Sequence, residues 1–161
     1  MANDRKLLNI ELGRVSAEEY RNLPESGIVA VLDNIRSAHN VGSAFRSCDA
    51  FKIDRLFLCG ICAVPPSTEI HKSALGAEDS VDWHYYATTM EAVEHLRAQG
   101  YTIVAIEQCE GSVMLNEWRA WPTSKPDNLI TSKPDNLKKY AFIMGNEVKG
   151  VAQDVVDAAD M

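Results

Sequence analysis

The sequence predicts an α/β fold: a mostly parallel sheet with helices on both faces. Three observations lead there. Five short runs of apolar, β-branched or aromatic residues recur along the chain, the segments between them carry apolar residues at helical spacing, and the two kinds of segment alternate. That is the order parallel strands joined by helical crossovers require. At 161 residues the chain fits one domain, able to bury roughly 70 % of the surface that its unfolded form exposes. Its 46 % hydrophobic and 24 % charged residues suit a soluble globular protein. No run approaches the ~20 apolar residues of a membrane span.

Taken in order, the strands are IVAVLD at 28–33, DRLFLC at 54–59, VDWHYY at 81–86, YTIVAIE at 101–107 and YAFIMG at 140–145. Helix starts are marked by Ser16 with Glu19 and by Thr88 with Glu91, the spacing of capping boxes. After Asn40, residues Val41, Ala44, Phe45 and Cys48 fall at i, i+3, i+4 and i+7, one apolar face of a helix that Asn40 would cap. The helix over Glu91–Gln99 stops at Gly100. A last helix follows Gly150, with Val151, Val155, Val156 and Ala159 on one face. Residues 118–139 depart from the pattern, because TSKPDNL occurs at 123–129 and again at 131–137. Two short Pro-containing copies cannot build a solenoid. They read as a surface loop enlarged by tandem duplication, or as a lid; doubling a loop costs only about 0.6 kcal/mol.

Charge and cysteines narrow the function. A net charge of -7 argues against a broad nonspecific nucleic-acid surface, since Lys and Arg dominate phosphate binding. A local basic cleft stays open, with Arg36, Arg46, Lys52 and Arg55 close in sequence. Cys59 and Cys62 have the spacing of half a zinc site or a redox dithiol, but no second ligand pair accompanies them. They read as small buried thiols at a strand end, and no metal is expected. The N-terminus lacks the apolar core of a secretory signal, so a cytoplasmic location with reduced thiols is expected.

Two stretches begin at strand carboxyl ends, where parallel sheets bind their ligands. The first is DNIRSAHNVGSAFRS at 33–47 and the second YAFIMGNEVKGVAQDVVDAAD at 140–160. In the second, glycines at the turn allow the backbone close to a ligand. Neither a P-loop nor G-x-G-x-x-G is present. Together, Asn40-Val41-Gly42-Ser43-Ala44-Phe45-Arg46 and Met144-Gly145-Asn146-Glu147-Val148-Lys149-Gly150-Val151 resemble the first and second motifs of the SpoU/TrmH branch of the SPOUT RNA methyltransferases. Lys72 to Ala77 and Ala105 to Gln108 extend the similarity along the chain.

The resemblance implies a single SPOUT domain over 1–161, S-adenosylmethionine as methyl donor, and a ribose 2′-hydroxyl of tRNA or rRNA as acceptor. It also implies a homodimer with the active site near the subunit interface. Asn40, Arg46 and Glu147 take the places of the branch's catalytic residues, and Ile106, Gly145, Asn146, Gly150 and Val151 those that line the cofactor. Arg46 is a poor base, because guanidinium stays protonated, and is better suited to clamping a phosphate; the resemblance also allows it as a perturbed base. Glu147 would orient Arg46 or Asn40. Considered singly, Asn40 reads equally as a helix cap, Glu147 as a first-turn residue answering its own helix dipole, and neighbouring His39 as an alternative base. The branch's third motif, a Ser-Leu-Asn loop and final helix, is not found before Met161. The expectation is therefore a C-terminally shortened domain with an incomplete knot. The alternative to an active methyltransferase is a noncatalytic member that binds RNA or a partner and little cofactor.

Overall fold

The computed structural model describes residues 5–8, 11, 13, 15–118 and 138–161. The duplicated stretch at 123–137 lies outside them. Five strands form one parallel sheet: β1 (Ile28–Asp33), β2 (Arg55–Cys59), β3 (Asp82–Tyr86), β4 (Thr102–Ile106) and β5 (Tyr140–Met144), in the order β3-β2-β1-β5-β4. The last strand thus lies between the first and the fourth. Between these strands, and before and after them, run α1 (Ala17–Arg21), α2 (Ala38–Ala50), α3 (Thr68–Ala74), α4 (Ala77–Ser80), α5 (Thr89–Ala98) and α6 (Gln153–Ala158). No helix among the described residues is long and apolar enough to cross a membrane.

Strand burial follows position in the sheet. Central β1 is covered on both faces: Val29 and Val31 pack with Phe57, Ile103 and Ile143 under α5 and α6, and Ala30 and Leu32 pack with Leu56 and Leu58 under α2 and α3. A fully buried side chain of this size contributes roughly 1.5–3 kcal/mol relative to exposure, so continuous apolar runs belong in the centre. Edge strand β3 keeps Asp82, His84 and Tyr85 exposed, which accounts for its mixed sequence. At the opposite edge, Met161 N–H donates to Ile103 O and Ala105 N–H to Met161 O, a parallel pattern about Val104.

The helix starts refine the sequence reading. Ser16 and Glu19 form the full reciprocal capping box, whereas at α5 only the Thr88 half is made. Asn40 is not the cap of α2. Ser37 holds that place, its Oγ accepting from Asn40 N–H. Val151 precedes α6, which spans six residues, and Ala159 is its C-cap. Helices α3 and α4 had no prediction; Ser67, whose Oγ accepts from Ile70 N–H, was the available signal for α3.

Gly42 of the first motif serves packing. A Cβ there would overlap Ser73 Oγ and the Ile70 carbonyl, so α2 and α3 approach at this point only because position 42 has no side chain. Gly42→Ala is expected to destabilise the fold by about 1–3 kcal/mol, the usual cost of overpacking. Urea denaturation checks this, with a lower midpoint at an unchanged m-value.

Candidate active site at the carboxyl ends of the strands

The site is built where β1 and β5 end side by side, with Leu32 level with Met144. After β1 the chain turns at Asn34, which adopts φ 57. Its Oδ1 accepts from Ile61 N–H, and its Nδ2 donates to Asp33 Oδ1. After β5, Asn146 and Gly150 exchange both backbone hydrogen bonds at 2.9 Å, closing a tight turn. Asn146 Oδ1 accepts from Val148 and Lys149 N–H inside that turn, while its Nδ2 donates to Asn34 O at 2.8 Å. The two loops are thereby locked together. Gly145 and Gly150 are required: a Cβ on Gly145 would overlap the Gly150–Val151 peptide, and Gly150 sits at φ +70, where L side chains are strained.

Glu147 and Asn40 meet directly, with Asn40 Nδ2 donating to Glu147 Oε1 at 2.8 Å. The same carboxylate accepts from Ser37 N–H at 3.3 Å and Arg36 N–H at 3.4 Å. Helix α2 has no acidic residue in its own first turn. Glu147 supplies that negative charge from the neighbouring loop, at the end of the helix where the dipole favours it. Its partner is therefore Asn40 and not Arg46. Arg46 lies about one residue short of two turns along α2 from Asn40, about 9 Å by helical rise. It is exposed and makes no hydrogen bond or ion pair among the described residues. His39, seven residues before Arg46, shares its exposed face.

A cleft of about 550 Å³ opens between the loops, lined by Asn34, Arg36, Ile61, Asn146, Val148 and Gly150 among others. Of the expected cofactor residues, Asn146 and Gly150 line it. Val151 is buried behind it, and Ile106 lies at the end of β4, half-exposed and outside the lining. Sequence reasoning missed Asp33, Asn34 and Ile61 as wall residues, whereas Arg36, expected in a basic cleft, does line this one. It also placed four cations together that the fold separates: Lys52 sits over the Tyr20 ring and Arg55 bonds Gln99 and Tyr101, both at the amino end of the sheet. Only Arg36 and Arg46 belong to the site's side.

The buried thiols are inert as nucleophiles. Burial pushes Cys48 and Cys59 up to about 12 and raises Cys62. Cys62 instead supports the first loop, its Sγ accepting from Ile35 N–H and donating to Leu32 O. Among the described residues no cluster of His, Cys, Asp or Glu could hold a metal ion.

Comparison with known proteins follows this geometry. The fold resembles that of an AdoMet-bound rRNA methyltransferase from Sinorhizobium meliloti, with TM-score 0.65, 23% identity, and 87% of this chain and 48% of that one covered. It also resembles an A. aeolicus TrmH/SpoU tRNA modifying enzyme, with TM-score 0.66, 20% identity, and 89% and 66% covered. At these identities the likeness concerns the fold. Over 82 residues, 51% of the chain, the sequence is 32% identical to the 23S rRNA (guanosine-2′-O-)-methyltransferase RlmB of Nitrosomonas europaea. The match spans 32% of that relative, about a third of its length. Residues 27–161 match the SpoU rRNA Methylase family, and the chain belongs to that family.

The Glu147 carboxyl is held below its ordinary value first by its own backbone amide and then, against some desolvation, by Asn40, Arg36 and Ser37. A depressed carboxylate stabilises the folded loop above the unfolded pKa, and that contribution is lost as pH falls through the folded value. A carbon-detected NMR titration should place the Glu147 midpoint below the ordinary ~4.3. In Asn40→Ala the midpoint should rise only part of the way back.

Proposed function

We propose that this chain is the methyl-transferring domain of an RNA-modifying enzyme that uses S-adenosylmethionine and methylates a ribose 2′-hydroxyl in tRNA or rRNA. The observation that carries the reading is the cleft between two loops locked by Asn40–Glu147 and Asn146–Asn34 at the carboxyl ends of β1 and β5. Family membership supports the reaction class, and the name of the Nitrosomonas relative supports a ribose oxygen as acceptor.

The residues fit the cofactor. The cleft falls within the ~300–1,000 Å³ range of small-molecule sites, and Gly145 and Gly150 shape a close backbone turn that a Cβ would fill. Asn146 and Gly150 would hold the cofactor from the wall, with Gly145 and Val151 fixing the turn behind them. When bound, the cofactor supplies an electrophilic methyl on a sulfonium centre.

The chain's own residues then orient the acceptor and manage its proton. Holding the ribose oxygen in line with the methyl can supply much of the rate. Arg46, whose guanidinium has no partner among the described residues, is free to grip the phosphate beside the target ribose. The same charge favours the oxygen as its proton leaves. Glu147 holds Asn40 and not Arg46, so the arginine is left for RNA. Arg46 also stands away from its own cleft on the outer face of α2, a placement suited to a homodimer with its active site at the subunit boundary. The enzyme would act in the cytoplasm.

Arg46→Ala should lower methyl transfer by about a hundredfold or more while changing the cofactor Kd by no more than about twofold. Calorimetry with S-adenosylmethionine and mass spectrometry of ribose methylation in tRNA and rRNA measure the two. Collapse of cofactor affinity in the variant would contradict the role given to Arg46. No detectable cofactor binding by the 161-residue chain would favour a noncatalytic RNA- or partner-binding member.

A further inference from the structure

Two carboxylates outside both motifs hold the second loop from either side. In the sheet β5 is flanked by β1 and β4, and both Leu32 and Ile106 stand level with Met144. The next residue on each flank is acidic, Asp33 on one side and Glu107 on the other, with Gly145 between them. Both carboxylates reach across to the chain as it returns over Gly145. Glu107 Oε2 accepts from Val151 N–H at 2.7 Å, and Asp33 Oδ2 accepts from Ala152 N–H at 2.8 Å. Successive amides of an extended segment point to opposite sides, so consecutive residues require one acceptor on each flank.

Each carboxylate is also fixed in its own place. Asp33 is 1% exposed, and its Oδ1 accepts from Thr89 Oγ1 at 2.5 Å and Asn34 Nδ2 at 2.8 Å. The Thr89 bond ties it to the start of α5. A buried carboxylate is tolerable only when its oxygens are satisfied in this way. Glu107 Oε1 accepts from Gln108 N–H at 2.8 Å, and a Cβ on Gly150 would overlap its carboxyl group.

We infer that Asp33 and Glu107 are positioning residues: a two-sided clamp on the Val151 and Ala152 amides that presets the Asn146–Gly150 turn for cofactor binding. This rests on the proposed function, since it assigns the clamp to the cofactor cleft. The clamp acts by removing the loop's freedom before binding, which lowers the ordering cost that the ligand would otherwise meet.

The test uses the full chain with Glu107→Ala, Glu107→Gln and Asp33→Asn. Amide hydrogen exchange at Val151 and Ala152 is read by NMR, and S-adenosylmethionine affinity by calorimetry. Glu107 is partly exposed, so its variants are expected to fold, with exchange at Val31 in central β1 unchanged. Glu107→Ala should speed Val151 exchange and weaken cofactor affinity, each by about tenfold. Glu107→Gln, which keeps one acceptor oxygen, should recover most of both. Asp33→Asn leaves one acceptor oxygen for the three donors that Asp33 serves, so it should speed Ala152 exchange and weaken cofactor affinity as Glu107→Ala does through Val151, with a loss of global stability besides. Faster exchange at unchanged affinity would overturn the positioning role, and unprotected Val151 and Ala152 amides in the wild type would overturn the clamp itself. If the wild type binds no cofactor, the functional reading fails, and the exchange rates still decide whether the clamp exists.

Discussion

Strand β5 enters the sheet between β1 and β4, and that placement sets every distance in the site. It carries a turn from the end of the chain against the loop that follows the first strand, bringing Asn40 and Glu147 within 2.8 Å across 107 residues of sequence. Parallel pairing fixes the register, because a slip by one residue would exchange the two faces of β5 and take Ala141 and Ile143 out of the cluster they share with Val29 and Val31. Residues 33, 107 and 145 are therefore held level at one edge. The cleft follows from where the strands stop.

What holds the loops is polar, and its strength depends on exclusion from water in only one place. Asp33 is buried with donors on both oxygens, and Ala152 N–H alone serves Oδ2, so losing that bond would leave a buried acceptor unpaired. Glu147 is exposed, and its bonds to Asn40, Ser37 and Arg36 compete with water. The two sides of the turn thus differ in stiffness. The flank behind Val151 is anchored in the core beside Val155, whereas Val148 at the tip is 83% exposed. A rigid base with an open tip is a suitable arrangement for a ligand that enters from solvent and must be read by backbone atoms.

Much of this was legible in the sequence. The five strands fall within a residue or so of their expected bounds, the central ones because buried parallel strands need continuous apolar runs and edge strand β3 because its aromatic residues favour a strand. The pairing of Asn40 with Glu147 was one of two options left open, and the structure selects it. Other features were not legible. Ser37 as the cap of α2 was not separable from Asn40, since both residue types are favoured there and the Asn40 side chain instead bonds Glu147 on the second loop. The separation of Lys52 and Arg55 from Arg36 and Arg46 needs the chain reversal through α2, which local charge counting ignores. Asp33 and Glu107 did leave a trace, as acidic ends on the otherwise apolar runs IVAVLD and YTIVAIE. Only the strand order shows that these two runs flank the same neighbour.

The cleft at the carboxyl ends of β1 and β5 is proposed to receive the methyl donor, and an amide NMR titration of the chain with S-adenosylmethionine decides that assignment. The assignment requires saturable shifts concentrated at Asn34, Ile61 and residues 146–152. It would be contradicted by shifts confined to the smaller cleft of about 270 Å³ at the amino end of the sheet, around Tyr20, Asp54 and Arg55, or by no shifts at all.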